Sequence, residues 1–352
     1  MKFLKKNLLY TVGLSLVLTA CGKEESVDPE PLNFQFVVPD NFPQPVWDTE
    51  NPMTRNGIEL GRMLFYDVRL SGNNKISCAS CHDQKLAFSD GKALSSNGVS
   101  GTVLHRHTPA LINLAWANNG LFWDGGSTNL ESQAFGPLTA ADEMQQDLFE
   151  LVDELNNVPE YVKQFDLVFE DKISSQNIVK ALAQFQRTLV SSNSRYDKFR
   201  RNEPGGDLSP TELHGLELVR QKCQSCHAGE LFTDNSFHNN GIDADFDNDQ
   251  YEGLFQGRFR VSYNPADLGS FKTPTLRNVA LTAPYMHDGR FTNLEDVIDH
   301  YSQKILVSPT LDKQIPNNGF QFSVVEKEAI MAFLKTLTDE EFVTNSEFSS
   351  PR

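Results

Sequence analysis

Hydrophobic residues recur at helical spacing in several parts of the chain and predict a mainly helical protein. Leu60, Met63 and Leu64 share one face of a short segment, as expected for an amphipathic helix. Residues 142–156 and 174–190 follow the same period, and the second of these would turn its apolar side chains inward. The pattern therefore favours packed helices joined by loops.

Two further helices carry recognisable start signals. Ser209 as N-cap and Glu212 at the capping-box position begin a helix that is predicted to end at Cys223. Another helix is predicted to begin with Thr292 as its N-cap, and its period places Tyr301 on the apolar face. We therefore expect Tyr301 to point into the interior of the protein.

The first twenty residues have the pattern of an export signal. Three lysines precede an apolar stretch over residues 8–18, and small residues follow at the cleavage position. The Leu-Thr-Ala-Cys stretch that ends at Cys21 resembles a bacterial lipobox and predicts a lipid on Cys21; an ordinary signal with a chance cysteine is the alternative. We expect an exported protein that faces the periplasm and contacts the membrane through its lipid anchor only. Residues 21–48, rich in Pro, Glu and Asp, are interpreted as a tether.

The composition excludes several classes of protein. With 352 residues, 39% of them hydrophobic, the chain can bury one large core or two ordinary ones, which excludes a disordered protein. The formal net charge is −16, and no nucleic-acid partner is expected because phosphate binding needs clustered Lys and Arg. The acidic charge favours a basic protein partner instead.

Beyond Cys21, every cysteine of the chain lies in one of two CxxCH motifs. Each motif has the spacing for a covalently bound heme c: the cysteines form thioethers with the vinyl groups, and the histidine is the proximal iron ligand. A redox dithiol or half of a zinc site would also use CxxC, but the histidine after both pairs favours heme. The motif residues are Cys78, Cys81 and His82, and Cys223, Cys226 and His227.

The two motifs are too far apart for one small heme domain. Their histidines are separated by 145 residues (227 − 82), which implies two heme domains. A Pro-Gly-Gly stretch near residue 205 predicts the linker. We therefore assign an N-terminal heme domain to residues 49–203, a C-terminal heme domain to residues 204–340, and a tail to residues 341–352. Residues 229–290, rich in Gly, Asp, Asn and Pro, predict long loops.

Several short stretches, in order along the chain, resemble the bacterial di-heme cytochrome c peroxidase family, which includes the methylamine-dehydrogenase maturation enzyme. The resemblance extends over about residues 52–338. It implies a mainly α fold of two cytochrome c-like heme domains with long connecting loops, a peroxidatic heme in the first and an electron-transfer heme in the second. The stretches are FSDG (88–91), RHTP (106–109), FWDG (122–125), LE (130–131), GP (136–137), FKTPTLRN (271–278) and APYMHDG (283–289).

The resemblance implies that Glu131 is the catalytic acid-base residue at the peroxidatic heme. Reduction of hydrogen peroxide needs an open iron position, two electrons, and a carboxylate that moves a proton between the peroxide oxygens. Leu121 stands where relatives usually have a glutamine. Many relatives close this iron with a displaceable histidine, for which the chain offers His105 and His107; His107 lies in a structural motif. We expect an open iron, with His105 as the alternative ligand.

Two residues compete for the distal iron position of the second heme. The resemblance favours Tyr301, because the maturation enzyme has a tyrosine there, and the thioether of Met286 is the alternative. A phenolate would lower the reduction potential of this heme. The position of the family's bridging tryptophan lacks one here, so Trp116 is expected to act as the electron relay. The resemblance also implies one calcium, bound partly through the backbone carbonyls of Thr282 and Pro284.

The leading hypothesis is a di-heme c-type cytochrome-c peroxidase that reduces hydrogen peroxide to water. A small c-type cytochrome, or a similar electron-donor protein, would supply the electrons. The alternative is a peroxide-driven di-heme oxidase that modifies residues of a partner protein, and a third hypothesis is an electron carrier with both irons closed. A homodimer is expected by analogy with the family.

Overall fold

The computed structural model describes residues 34–45 and 49–351. The predicted export signal, Cys21 and the tether up to residue 33 lie outside the described residues, as do residues 46–48 and Arg352. Within the two described ranges, no helix is both long enough and apolar enough to cross a membrane.

Helices dominate the regular structure of the described ranges, so the expectation of a mainly α fold is confirmed. Two short strands, β1 (Phe237–His238) and β2 (Phe271–Lys272), pair antiparallel. The helices are α1 (Arg55–Tyr66), α2 (Leu130–Thr139), α3 (Leu148–Asn156), α4 (Pro159–Phe169), α5 (Ser175–Thr188), α6 (Arg195–Arg200), α7 (Pro210–Lys222), α8 (Gln250–Gly253), α9 (Phe259–Ser262), α10 (Leu294–Gln303), α11 (Val324–Lys335) and α12 (Glu340–Thr344).

The first hydrophobic core forms around the helix pair α1 and α5, on which α2 also packs. Leu60 of α1 and Phe185 of α5 are fully buried in it. Gly61 permits the close approach of the two helices, because a Cβ at this position would overlap the carbonyl oxygen of Ala181. The helix predicted over residues 174–190 is thus present as α5, with its apolar face in the core.

The second hydrophobic core forms around α7 and α11 in the same manner. Leu216 of α7 and Phe333 of α11 are buried in it. Gly215 has the role of Gly61, because a Cβ there would overlap the carbonyl oxygen of Ala329. Each CxxCH motif is therefore preceded by a helix that packs through a glycine against a later helix of the same core.

The predicted helix starts are confirmed in one case and displaced in the other. Ser209 caps α7 in a capping box with Glu212, and Cys223 is the C-cap, as expected. The N-cap of α10 is Asn293, not Thr292, so that prediction was wrong by one residue. The reason is chemical: the Asn293 side chain accepts a hydrogen bond from the third helical N–H, which satisfies a donor that the helix itself leaves unpaired.

The two halves of the chain repeat one local arrangement at a constant separation along the sequence. Leu121 forms an isolated antiparallel bridge with Ser127, and Tyr285 forms one with Phe291. Each residue of the second bridge lies 164 residues after its equivalent in the first bridge (285 − 121 and 291 − 127). The same offset relates the N-caps of α2 and α10, Asn129 and Asn293. Helices α2 and α10 therefore occupy equivalent places in the two halves.

Part of the predicted tether packs against the folded protein. Within residues 21–48, the described residues 34–45 place Phe36 and Phe42 against the ring of Trp116, with centroids 5.7 and 5.3 Å away. Asn41 donates a hydrogen bond of 3.0 Å to Asp197. Aromatic side chains in a Pro-rich stretch favour burial over a free linker, and this property explains the difference from the expectation.

The predicted C-terminal tail also packs against the protein. Phe342 and Phe348 belong to the first hydrophobic core, although the chain has just left the second core at Leu337. Gln84 donates hydrogen bonds to two carbonyl oxygens of this segment, and the Tyr66 hydroxyl donates to the carbonyl oxygen of Phe348 at 2.7 Å. Residues 340–348 thus connect the second half to the first.

One fully buried ion pair lies near the predicted domain boundary. Arg277 makes two hydrogen bonds of 2.8 Å to the Asp197 carboxylate, and neither side chain is exposed. Such a pair is costly to desolvate and depends on good geometry, which the two parallel bonds provide. Tyr196, next to Asp197, belongs to the second core. The boundary between residues 203 and 204 stays a prediction.

Candidate functional site

The first CxxCH motif begins with a short 3-10 turn, Cys78–Ser80, which Ser77 caps. The Nδ1 atom of His82 lies 2.8 Å from the carbonyl oxygen of Phe88. Because a carbonyl can only accept, Nδ1 carries the proton and leaves Nε2 for a metal. Burial lowers the pKa of His82, which favours the neutral imidazole that an iron ligand requires.

The second CxxCH motif repeats this arrangement at the C-terminus of α7. The Nδ1 atom of His227 lies 3.2 Å from the carbonyl oxygen of Phe232 and 3.1 Å from that of Pro274. The backbone therefore fixes the tautomer and leaves Nε2 for the iron. Burial lowers the pKa of His227 as well. Both histidines are prepared as neutral ligands in the same way.

A cavity of about 330 Å³ adjoins the second motif. Cys223, Cys226 and His227 form part of its wall, and Met286 and Tyr301 line it too. Apolar side chains make up most of the remaining lining, which suits the flat hydrophobic face of a porphyrin. These residues fit a covalently attached heme: two thiols, an imidazole of fixed tautomer and two candidate ligands for the distal position.

Both candidates for the distal position contact the same amide group. Asn240 Nδ2 lies 3.2 Å from the hydroxyl oxygen of Tyr301 and 3.5 Å from the sulfur of Met286. Burial raises the pKa of Tyr301 to about 12, and the hydrogen bond from Asn240 acts in the opposite direction. Tyr301 points inward from α10, as its period predicted. The choice between the two ligands stays a prediction.

Glu131 lies in the first turn of α2 and is held by side chains from two other segments. Arg187 of α5 donates hydrogen bonds of 2.7 and 3.0 Å to the carboxylate oxygens, and Asn51 donates one of 2.6 Å. Gln184 in turn donates to the Asn51 side chain at 2.9 Å. Arg187 and Asn51 are buried, and the Glu131 side chain is 14% exposed. Among the described residues, Glu131 is not part of the cavity wall at the second motif.

The partners of Glu131 were missed in the sequence, although a signal for them existed. Gln184 and Arg187 lie within the amphipathic stretch 174–190 and are buried among its apolar residues. Polar side chains on the inward face of a helix need hydrogen-bond partners. These two residues therefore indicated a polar site in the core. Asn51 lies before α1 and offered no comparable signal.

Comparisons with known proteins show the family of the chain. The description "Di-haem cytochrome c peroxidase" applies to the family that matches residues 55–205. The chain is 36% identical over 326 residues to the methylamine utilization protein MauG of Methylorubrum extorquens, covering 92% of this chain and 88% of that protein. The chain belongs to the di-haem cytochrome c peroxidase family. The family implies two hemes c, so the cofactor expectation is confirmed to that extent.

Another relative of this di-haem peroxidase carries the activity in its name, and a solved structure shares its fold. The cytochrome c551 peroxidase of Nitrosomonas europaea is 33% identical over 295 residues, covering 82% of each chain. A solved MauG-like protein associated with microbial copper homeostasis is 34% identical with a TM-score of 0.82, and the match covers 90% of this chain and 99% of that one. The identity to the cytochrome c551 peroxidase confirms the expectation of an oxidoreductase of the peroxidase class.

The residues expected near the peroxidatic heme of this di-haem peroxidase have apolar or aromatic neighbours. Leu121 packs with Leu130 and Ala183 in a small apolar cluster. The ring of His105 contacts that of Tyr251 in a tilted arrangement, with ring centroids 3.8 Å apart. These contacts give both residues a packing role, and the function of His105 as a displaceable ligand stays a prediction.

Two tryptophans of the di-haem peroxidase line the cavity of the second motif. Trp116 is 5% exposed and donates its indole N–H to the carbonyl oxygen of Pro43 at 2.7 Å. Trp123 donates its indole N–H to the carbonyl oxygen of His107 at 2.8 Å. Both rings are therefore fixed by the backbone at the cavity wall, and the relay role of Trp116 stays a prediction.

The loop expected to hold calcium reaches the same cavity. Thr282 and Pro284 both line it, and the Thr282 hydroxyl donates to the carbonyl oxygen of Val279 at 3.5 Å. Backbone carbonyls are suitable calcium ligands. The calcium stays a prediction, which a comparison of the heme spectra before and after chelation would test; identical spectra and full retention of activity would contradict it.

A polar cluster beside the second motif has no counterpart among the sequence predictions. His238 lies 2.6 Å from Asp312 and 2.8 Å from Asp234, and its hydrogen bonds with Cys226, Asp312 and Asp234 raise its pKa to about 10. The ligand atoms of Cys226, His238 and Asp312 converge as in a metal site. Because a thioether to heme engages the Cys226 sulfur, we assign the cluster to partly buried ion pairing.

Proposed function

We propose that this di-haem peroxidase reduces hydrogen peroxide to water at its first CxxCH site, with electrons from a small c-type cytochrome that enter at the second. Bound at these sites, the hemes supply irons that accept and pass on electrons one at a time. Each turnover consumes two electrons and two protons, breaks the O–O bond of one peroxide and releases two molecules of water.

The observation that carries this proposal is an asymmetry between the duplicated halves. The offset of 164 residues pairs Met286 with Phe122 and Tyr301 with Pro137. The second half thus offers two side chains that can bind an iron from the distal side, whereas their equivalents in the first half cannot. A heme held by the first CxxCH motif would therefore keep a position at which its iron could bind peroxide. The asymmetry therefore favours a peroxidase over a carrier with both irons closed.

Glu131 has the chemistry required for the proton transfer. Its carboxylate takes the proton from one peroxide oxygen and returns it to the other, which becomes the leaving water. Arg187 and Asn51 fix the orientation of the carboxylate through three hydrogen bonds. A carboxylate that is already oriented loses little conformational entropy when it takes the proton, and this pre-orientation supports catalysis.

A second candidate function is the oxidation of residues in a partner protein by peroxide. Tyr301, which lines the cavity, supports it, because a hard phenolate donor stabilises the higher oxidation states of iron. The 36% identity to the methylamine utilization protein MauG also supports it. In this case the two oxidising equivalents of peroxide would leave through the second site to a protein surface.

The activity test is the steady-state oxidation of a reduced small cytochrome c by hydrogen peroxide with fully heme-loaded protein. We expect turnover as isolated, and we expect Glu131→Gln to lower it by about 100-fold because the proton acceptor is lost. Heme content and absorption spectrum serve as controls for folding. Absence of turnover, before and after partial reduction, together with a spectral response to peroxide would favour the protein-oxidising function.

Glu295 provides a matched control for Glu131. It occupies the equivalent position in the second half, in the first turn of α10, and it is exposed. Glu295→Gln should therefore leave turnover unchanged. An equal loss in both variants would indicate a general effect of surface charge and would remove Glu131 from the catalytic role.

We also infer that the protein is exported and anchored through a lipid on Cys21, with the folded part facing the periplasm. The basic and apolar pattern of residues 1–20 and the lipobox-like sequence before Cys21 support this localisation. Cys21→Ser should release the protein from the membrane fraction and abolish labelling by a radioactive fatty acid. Unchanged membrane association of the variant would contradict the lipid anchor.

A further inference from the structure

Asn240 is the polar group that contacts both candidate ligands of the second heme. Its side-chain N–H lies 3.2 Å from the hydroxyl oxygen of Tyr301, an ordinary hydrogen-bond distance. The approach to Met286 is 3.5 Å, and a thioether sulfur is a weak acceptor. The amide therefore donates mainly to the tyrosine oxygen.

The loop that carries Asn240 is fixed on several sides. His300, the neighbour of Tyr301 on α10, lies with Nε2 3.0 Å from the carbonyl oxygen of Asn240. The next carbonyl oxygen, that of Gly241, accepts a backbone hydrogen bond of 2.8 Å from Leu306. Because the backbone is held in this way, the Asn240 amide has a defined direction toward Tyr301.

A second set of hydrogen bonds holds the residue before Asn240. Asn239 donates to the hydroxyl oxygens of Ser308 and Thr310 at 3.0 and 2.9 Å, and it is 2% exposed. Asn239 thus anchors the loop, whereas its neighbour Asn240 contacts the candidate ligand. Asn239 supports the loop, and Asn240 makes the direct contact.

We propose that Asn240 is a positioning residue that sets the reduction potential of the second heme by donating a hydrogen bond to the Tyr301 oxygen. This inference rests on the proposed function in taking Tyr301 as the distal ligand. A donated hydrogen bond withdraws electron density from a phenolate, which then stabilises ferric iron less strongly. The bond is stronger for an anionic acceptor than for a neutral one. Asn240 therefore raises the potential above that of an unmodified tyrosine ligand.

The physical consequence concerns electron supply. A tyrosine ligand alone would give the second heme a low potential, which opposes electron uptake from a small c-type cytochrome. The hydrogen bond from Asn240 offsets part of this effect, so the second site can accept electrons while it retains an oxygen ligand. This adjustment makes the Tyr301 ligand compatible with the peroxidase reaction.

The test is spectroelectrochemical titration of the heme-loaded Asn240→Leu protein, with Asn240→Ala as a second variant in case the first loads poorly. Both remove the donor, so we expect the potential of the second heme to fall by an amount that changes its ferric-to-ferrous ratio ~10-fold, which is about 59 mV for a one-electron couple. The potential of the first heme should not move. No shift of the second heme in either variant would overturn the proposal.

Backgrounds lacking each candidate ligand identify the residue through which Asn240 acts. In Tyr301→Phe protein, Asn240→Leu should cause no further shift, whereas in Met286→Leu protein the full shift should remain. The opposite pattern would assign the effect to Met286 and overturn the proposal. A change of the second heme to a methionine-type spectrum in Asn240→Leu would overturn it too.

Asn239→Ser is the matched control for disturbance of the loop. It removes the amide that anchors the loop to Ser308 and Thr310 but leaves Asn240 in place. Because Asn239 supports the loop without donating to Tyr301 itself, we expect a clearly smaller shift than that of Asn240→Leu. A shift as large as that of Asn240→Leu would show that disturbance of the loop explains the effect and would contradict the proposal. Peroxide turnover measured on the same samples separates the two conclusions, because its absence would refute the proposed function while the potentials still test Asn240.

Discussion

Glu131 depends on side chains that lie far from it in the sequence. Arg187 grips both carboxylate oxygens, and Asn51 adds a third hydrogen bond. The planar guanidinium matches the carboxylate in a way that a lysine ammonium does not. We therefore interpret Arg187 as the residue that fixes the direction of the proposed acid-base group.

Replacement of Arg187 tests this interpretation at the residue scale. Arg187→Lys keeps the positive charge but loses the pair of guanidinium N–H donors that contacts both carboxylate oxygens. We therefore expect peroxide turnover to fall about 10-fold while heme content is retained. The measurement is steady-state turnover with kcat and KM determined separately, and the loss should appear in kcat.

Arg195→Lys is a suitable control for the loss of a forked arginine. Arg195 pairs with Glu212 at the protein surface, and its side chain is 42% exposed. Exposed pairs contribute little, so this variant should behave like the wild type. Wild-type kcat in Arg187→Lys would show that the fork is not needed for the reaction.

The equivalent helices α2 and α10 carry different functional candidates. Helices α2 and α10 both follow an asparagine N-cap and an isolated bridge. Helix α2 carries Glu131 near its start and Pro137 further along, whereas α10 carries the exposed Glu295 and the inward Tyr301. One scaffold thus supplies a candidate acid-base group in the first half and a candidate iron ligand in the second.

The glycine contact between α7 and α11 gives a prediction at the scale of elements. Gly215→Ala places a Cβ against the carbonyl oxygen of Ala329, which cannot move without displacing α11. We expect a loss of about 2–4 kcal/mol in unfolding free energy, as for other overpacked or strained sites. Helix α7 ends at the second CxxCH motif, so the occupancy of the second heme should fall as well.

Thermal unfolding and heme quantification measure both effects. Glu217→Ala, on the exposed face of the same helix, is the control and should change stability by less than about 0.5 kcal/mol. If Gly215→Ala were as stable as this control, the close approach of the two helices would not be required for the fold.

The folded part of the molecule is joined by the segments at the start and at the end of the described residues. Residues 34–45 pack on Trp116, and residues 340–348 return from the second core to the first. Arg277 and Asp197 add a fully buried ion pair. These connections hold the two CxxCH sites within one folded unit, which electron transfer between them requires.

The net charge of −16 gives a prediction for the whole molecule. Raising the ionic strength from about 0.01 to 0.15 M shortens the screening length from about 30 to 8 Å. We expect kcat/KM with a basic cytochrome c to fall by about 10-fold over this range, because long-range attraction accelerates the encounter. An acidic cytochrome c, used as the comparison donor, should show no such fall. Equal salt dependence for both donors would contradict electrostatic steering.

Local signals in the sequence determined the features that depend on neighbouring residues. The CxxCH motifs predicted two hemes because five consecutive residues contain the whole attachment chemistry. Ser209 and Glu212 predicted the start of α7 because a capping box is complete within one helical turn. The inward direction of Tyr301 followed from the period of its helix, even though the N-cap was displaced by one residue to Asn293.

Tertiary structure decided the features that need partners from distant parts of the chain. Glu131 meets Arg187 and Asn51 across separations of 56 and 80 residues, and Asn240 meets Tyr301 across 61. No local pattern encodes such pairs, because packing of the whole chain determines which polar groups are buried together. For the same reason the aromatic residues near both ends, which looked like parts of a tether and a tail, became parts of the core.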